Sequence, residues 1–237
     1  MAVILVALTI LFGSCKKSTE EATPVLKNSI AYIYKTDNTD GAAFKALLEE
    51  NECHVTLIDR SVASTINYAS YKMIVIDNNA DATLTGSSFT DAESAALNNT
   101  GKPMLLMGIG GLQFAKKIGN VANFTNTAIW NEKGFFVYDK SSSLYKTPFA
   151  IPIPTSTPAI NIYPSNVPGC GQLVHLGTTL PDNVLLGRFN LASEYYPVTY
   201  EKSRYMTFGF QKGVNAMNEL GRQYMVNLCY FVGGLTL

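Results

Sequence analysis

The sequence predicts an α/β fold, a three-layer sandwich whose mostly parallel sheet carries helices on both faces. Three observations lead there. Runs at 30–34, 53–58, 71–77 and 104–108 are β-prone and almost continuously apolar, as strands covered on both faces must be. Segments with helical spacing or helix-start chemistry fall between them. Breaker clusters, most clearly Asn99-Thr100-Gly101-Lys102-Pro103, separate the two kinds.

Ile30 to Tyr34 gives the first strand. Phe44, Leu47 and Leu48 recur at helical spacing, so Gly41 to Glu50 has one apolar face, and Thr39 or Asp40 is placed to cap it. Cys53 to Ile58 forms the second strand and Tyr71 to Asp77 the third. Thr90 stands before Asp91-Ala92-Glu93, a capping-box pattern with acids in the favourable first turn, and the helix should run to about Asn98. Met104 to Gly108 is the fourth strand. A glycine-rich turn should follow, then a helix near Leu112 to Ile118.

Beyond Gly119 the pattern changes. Trp130 and Phe135 to Tyr138 suggest a strand after a loop, ended by Ser141-Ser142-Ser143. Six of the ten prolines lie between Pro148 and Pro168. Pro152, Pro154 and Pro158 deny amide donors to a central strand or helix, so 149–157 should be an extended edge or a rigid covering loop. Val184 to Phe189, Tyr195 to Tyr200 and Arg204 to Phe210 read as short strands, the last two joined at Glu201-Lys202-Ser203 as a hairpin. Met217, Leu220, Tyr224, Met225, Leu228, Cys229 and Val232 form one stripe of a final helix that should cover the sheet.

The chain balances 18 basic against 18 acidic residues, so nothing steers it electrostatically to nucleic acid. Ala2 to Phe12 is an almost unbroken apolar run, leads into Phe12-Gly13-Ser14-Cys15, and is followed by the polar Lys16 to Glu21. The run is shorter than the roughly 20 residues that span a bilayer, but it fits the apolar part of a secretory signal. It resembles a bacterial lipoprotein signal with its lipobox. That resemblance implies cleavage before Cys15, acylation of the Cys15 thiol and new amine, and a body tethered by lipid at the cell envelope. The expected organisation is a signal peptide at 1–14, a tether at 15–27 and one domain at 28–237. The membrane, reached through the lipid, is the partner so implied, and no protein partner is legible. Cys53, Cys170 and Cys229 are too few and too widely spaced for a disulfide framework, and Cys53 and Cys229 should pack as small apolar groups.

The stretch Gly101-Lys102-Pro103-Met104-Leu105-Leu106-Met107-Gly108-Ile109-Gly110-Gly111-Leu112-Gln113-Phe114-Ala115 resembles the class I glutamine amidotransferase-like fold, of flavodoxin-like architecture. Gly221 to Asn227 looks like the closing helix of such domains. In active members the matching stretch runs from a Gly-Lys-Pro turn through a buried strand to an elbow bearing a cysteine. An elbow exposes its nucleophile at a sharp strand-to-helix turn, where backbone amides stabilise the oxyanion. Here Gly110 stands where that cysteine is expected, and the family's later His-x-Glu pair has no counterpart, since His54 and His175 are the only histidines. Cys170 and His175 read as a packed thiol and a half-buried imidazole rather than a dyad. No catalytic residue is assigned.

The candidate ligand pocket is Asp77, Asn78, Gly108, Gly110, Gly111 and Gln113, at the carboxyl ends of the third and fourth strands, where open α/β sheets bind ligands. Glycines there admit close approach to backbone amides, although a tight turn needs nothing more. Asp77-Asn78-Asn79-Ala80-Asp81 lacks the glycine and distal glutamate of a calcium loop, and neither metal nor cofactor is expected. These readings point to a non-catalytic ligand-binding or structural exported lipoprotein of unknown ligand, with a small polar molecule or a carbohydrate as the class to consider. The alternative is a hydrolase with a divergent site, acting on a small polar or carbohydrate substrate through Asp77, Asp81, Glu194 or His175. Trp130, Tyr138, Tyr195 and Tyr196 suit stacking on sugar rings if they share a face, and core packing if they do not.

Overall fold

The computed structural model describes residues 27–237 apart from 36, 84–85, 120–123 and 176, with the backbone alone at 124–129. The expected signal peptide, Cys15 and the tether as far as 26 lie outside the described residues.

Strand alternation divides the molecule into two cores. β1 (Ser29–Tyr34) sends Ile30 and Tyr32 to one side of the sheet and Ala31 and Ile33 to the other. The chain continues through α1 (Thr39–Glu49), β2 (His54–Asp59), β3 (Met73–Ile76), α2 (Asp91–Asn98), β4 (Met104–Met107) and α3 (Gly108–Lys117). Met73 and Val75 of β3, with Leu105 and Met107 of β4, join the first core, while Ile74, Ile76, Met104 and Leu106 join the second. Period-two alternation on strands buried on both faces thus builds both cores at once. Each of these side chains is at most 1% exposed, and full burial of one contributes about 1.5–3 kcal/mol.

The remaining elements are β5 (Phe124–Glu132), β6 (Gly134–Val137), β7 (Ala159–Asn161), β8 (Val167–Leu173), β9 (Asn183–Arg188), β10 (Tyr195–Tyr196), β11 (Val198–Glu201), β12 (Tyr205–Phe208) and α4 (Glu219–Gly233). The large sheet has the order β2-β1-β3-β4-β12-β11-β9-β6-β7. Helices α1 and α4 supply Phe44, Leu48, Tyr224, Met225 and Leu228 to the first core, and α2 and α3 supply Leu97, Phe114 and Ala115 to the second. The three layers are as expected, but the sheet is mixed. Neighbours from β2 to β12 run parallel, whereas β12-β11-β9-β6-β7 pair antiparallel. The cause is connection length: helices cross over between the early strands, while a turn at Lys202 and Ser203, both with positive φ, folds β11 back on β12. A second, antiparallel sheet, β10-β8-β5, joins the large one where β12 ends, through Cys170 N donating to Gly209 O (2.8 Å) and Gln211 N to Pro168 O (2.9 Å).

Local chemistry sets the helix ends. Thr90 and Glu93 make the reciprocal capping box, with Glu93 N to Thr90 Oγ1 at 3.1 Å and Thr90 N to Glu93 Oε2 at 2.7 Å. Neither Thr39 nor Asp40 caps α1. Asn38 is its cap residue without a side-chain bond, and Asp37 instead accepts from Thr39 N at 2.8 Å and Thr39 Oγ1 at 2.6 Å. α3 starts at Gly108 with no intervening turn, four residues before the expected Leu112, because the positive φ of Gly108 reverses the chain in one step. Asn218 caps α4 through Gly221 N (2.9 Å), and Gly234 ends it at φ 56°. The proline segment forms neither strand nor helix over 149–158.

Candidate functional site

The carboxyl ends of β1, β3, β4 and β12 form one edge of the sheet, and the expected pocket residues do converge there. Asp77 leaves β3 and caps the single 3-10 turn Asn78–Ala80 by accepting from Asn78 N at 2.7 Å. Asn78 reaches across to α3, its Oδ1 accepting from Ile109 N at 2.9 Å, while its Nδ2 donates to Gln211 O at 3.3 Å. One of the amides at the start of α3 is therefore satisfied by protein. Gln113 is buried, and its Nε2 holds the following loop through Thr83 O at 2.6 Å.

The sharp corner of an elbow lies at Gly108, which has φ 50°, and not at Gly110, whose φ is outside the left-handed region. Neither position has room for a side chain. A β-carbon on Gly108 would stand 2.1 Å from Asn78 Oδ1, one on Gly110 would stand 2.1 Å from Asp77 O, and one on Gly111 would stand 2.3 Å from the Leu106 carbonyl carbon. The six residues are thus brought together as packing. Contact between helix and turn occupies the volume in which an elbow side chain and its substrate would meet.

Asp77 is the chemically unusual group here. It is 0% exposed; Oδ1 accepts from Tyr32 Oη at 2.6 Å, and Oδ2 has no partner. Burial pushes its pKa up to about 6, the Tyr32 hydrogen bond opposes that, and the charge of Asp40 adds to it. Asp40 is itself raised, first by burial and then by Asp37, despite bonds from Gly213 and Asn215 and the nearby Lys212. Tyr32 carried no sequence signal as a site residue. Its role follows from the parallel register that sets it beside Val75, two residues before Asp77.

Other candidates separate. Asp81 is tied to its own loop, accepting from Thr83 N at 3.1 Å, Ser88 N at 2.5 Å and Ser87 Oγ at 3.1 Å. Burial raises its pKa, but these bonds outweigh burial and leave it lowered. Cys170 packs with Ile109 and Leu112 of α3, so the small sheet does place a thiol near the corner. That thiol is 0% exposed, donates to Gly209 O at 3.0 Å and is pushed up to about 12 by burial, which makes it a poor nucleophile. His175 is exposed, where half-burial was expected, because β8 ends at Leu173; its Nδ1 pairs with Glu194 Oε2 at 3.1 Å. Cys53, Cys170 and Cys229 are all buried free thiols. Among the described residues no group of three or more His, Cys, Asp or Glu is arranged to hold a metal, and no helix is long and apolar enough to cross a membrane.

The aromatic residues divide into two pairs. Tyr195 and Tyr196 are consecutive on β10 and so face opposite ways. Trp130 meets Tyr195 at 5.6 Å between ring centroids, and Tyr138 meets Tyr196 at 5.5 Å with the Arg188 guanidinium over Tyr138. Several concavities of about 360–440 Å³ lie on the surface among the described residues, and two of them bear on the aromatic and helical elements above. One, of about 440 Å³, runs between α1 and α4 past Leu47, Phe149 and Arg222; the other, of about 430 Å³, lies beside Trp130 and Tyr195.

No protein-family model matches the chain, and no curated protein matches it in sequence. Solved structures do match in fold. A Thermoplasma acidophilum protein assigned as part of a GMP synthase superposes with a TM-score of 0.53 at 13% identity, over 86% of this chain and 94% of that one. A glutamine amidotransferase from Thermotoga maritima gives a TM-score of 0.43 at 11% identity, over 77% of this chain and 74% of that one. The likeness is one of fold: the chain resembles, distantly, proteins of the class I glutamine amidotransferase-like fold.

Proposed function

We propose that this chain is a non-catalytic, lipid-anchored protein of the bacterial envelope that uses an amidotransferase-like scaffold to bind a small polar or carbohydrate ligand. One observation carries the non-catalytic part. At the strand-to-helix corner, where this fold can present a nucleophile, Gly108 has no side chain and the surrounding volume is filled by Asn78 and the Asp77 backbone. The one cysteine packed on that helix, Cys170, is buried and held in its thiol form. The anchor rests on the resemblance of Phe12-Gly13-Ser14-Cys15 to a lipobox. With its active corner filled, the scaffold is left with its surface concavities as places to hold a ligand.

The full chain, purified in detergent, should release ammonia from glutamine no faster than a heat-treated control. Gly108→Cys should gain no activity in whatever fraction folds, because the corner has neither space for the thiol nor a histidine to activate it. Turnover that survives repurification and disappears on substitution of Cys170 or Asp77 would overturn the reading.

A further inference from the structure

The loop between β9 and β10 is built as a rigid frame around the only tryptophan of the chain. Phe189 N donates to Tyr195 O at 3.2 Å, closing the loop at its base. Inside it, Asn190 accepts from Ala192 N through Oδ1 at 3.0 Å and from Ser193 N through its carbonyl at 3.1 Å, and Ser193 Oγ accepts from Tyr195 N at 3.0 Å. Val174 N donates to Glu194 O at 2.8 Å and fastens the loop to the end of β8. Trp130 arrives from β5. It is stacked on the buried Phe189 with centroids 5.7 Å apart and planes 24° apart, and Tyr195 leans on it at 5.6 Å and 54°.

The result is an open trough of about 430 Å³ lined by Trp130, Tyr195, Asn190, Ala192, Ser193 and Glu194. Two half-buried rings make its apolar wall. The Asn190 amide and the Glu194 carboxylate stand along the rim, while the buried Ser193 hydroxyl bonds within the loop. A pyranose ring has the matching anatomy: one face of C–H groups that packs on an aromatic ring, edged by hydroxyls that need donors and acceptors at fixed places. The only acidic side chain in the lining is Glu194, whose Oε2 meets His175 Nδ1 at 3.1 Å; a carboxylate there favours hydroxyl donors and disfavours acidic sugars. A frame fixed by its own hydrogen bonds also lowers the ordering cost of binding.

We propose that this trough is a saccharide-binding site for neutral hexose oligosaccharides, with Trp130 and Tyr195 as the stacking wall and Asn190 and Glu194 as the polar contacts. The inference rests on the reading of the chain as a binding protein and gives that reading a place and a ligand class. Ring stacking and rim hydrogen bonds need no change in the protein's covalent state.

Because Trp130 is the sole tryptophan, its emission excited at 295 nm reports on this trough alone. The full chain, in a detergent without a sugar headgroup, should be titrated with cellotetraose, maltotetraose and laminaritetraose, and with tetragalacturonate as the acidic comparison. A saturable shift or quench with at least one neutral tetrasaccharide is expected, weakened about tenfold or more in Tyr195→Ala and in Glu194→Ala. Affinity electrophoresis through the same glycan should show the same loss for Trp130→Ala, and circular dichroism should show each variant folded. Emission unmoved by all three neutral sugars overturns the proposal. So does a response to tetragalacturonate alone, or binding unchanged in Tyr195→Ala and Glu194→Ala. A negative result here leaves the ammonia assay untouched, so failure of the site and failure of the non-catalytic reading are distinguishable.

Discussion

Gly110 lies against Asp77 so closely that a β-carbon on it would stand 2.1 Å from the Asp77 carbonyl oxygen and 2.6 Å from that of Asn78. Those two atoms belong to backbone at the end of β3, which cannot swing aside as a flexible side chain could. Steric fit, and not a left-handed φ, is what requires glycine at 110. Gly110→Ala should therefore destabilise the protein by about 2 kcal/mol or more. Gly101→Ala, which has φ 68° and no neighbouring atoms within 4 Å, should lose only about 1 kcal/mol to strain. Urea denaturation of both variants would decide. Wild-type stability in Gly110→Ala would show that the 3-10 turn yields freely and that the corner has room after all.

The parallel half of the fold is legible in the sequence because its signal is local. Strands buried on both faces must be continuously apolar, and Thr90 with Glu93 marks a helix start within four residues. The antiparallel half is less so. β6, β7 and β9 are joined to one another only by pairing across long stretches of sequence, and no short-range pattern assigns Phe136 to Arg188 as a neighbour. At the candidate site the sequence brings Asp77, Asn78 and the glycines of α3 into one neighbourhood but does not say how closely they pack. Spacing shows that Asp77, Asn78 and Gly110 meet, but whether they meet around a cavity or in contact depends on the docking of α3, a matter of ångströms. A glycine cluster read as a loop puts the elbow at Gly110, whereas one positive φ at Gly108 completes the turn.

Asp77 should make stability depend on pH in a defined window. Its folded pKa, about 6, lies above the ordinary value of 3.8, so between those values the folded state holds a proton that the unfolded state has released. Stability from this group is then present below about pH 4, falls as pH rises to about 6, and is constant above. At 1.36 kcal/mol per unit the full change is roughly 3 kcal/mol. Asp77→Asn removes the titration while Oδ1 can still accept from Tyr32 and Asn78, so the stability difference between wild type and variant should slope across that window and level off above pH 7. Parallel curves for the two proteins from pH 4 to 7 would mean that Asp77 is ionised at no special cost.

Asn227 explains why a segment with so many prolines is nevertheless held in place. Fully buried on α4, it donates through Nδ2 to Leu144 O at 2.8 Å and Phe149 O at 2.7 Å, and accepts from Phe149 N at 2.9 Å. Asn227→Ala would leave three backbone groups without partners, and the loss should be about 3 kcal/mol. The damage should also be local. Hydrogen exchange at the Phe149 amide should rise well above that of β4 amides, which are protected by the sheet. Unaltered protection at Phe149 would mean that water replaces the asparagine and that the segment is held by apolar contact instead.

The last expectation concerns the join between the proposed lipid anchor and the domain. Asn28 is 2% exposed, and its side chain ties both ends of the folded chain together, donating to Glu52 O at 3.4 Å and to Thr236 O at 2.8 Å while accepting from Thr236 N at 3.2 Å. Lys27 pairs with Glu52 at the surface. Asn28 therefore belongs to the packed domain, and it lies thirteen positions after Cys15 in the sequence. If Cys15 is acylated as proposed, losing the acyl group should change where the protein resides without changing how it folds. Cys15→Ser should lose incorporation of an alkyne-labelled fatty acid and move from the membrane to the soluble fraction, with the same thermal midpoint as wild type. Equal labelling, or equal recovery in membranes, sinks the lipoprotein reading. A lowered midpoint in the soluble variant would show instead that the segment before Asn28 contributes to the fold.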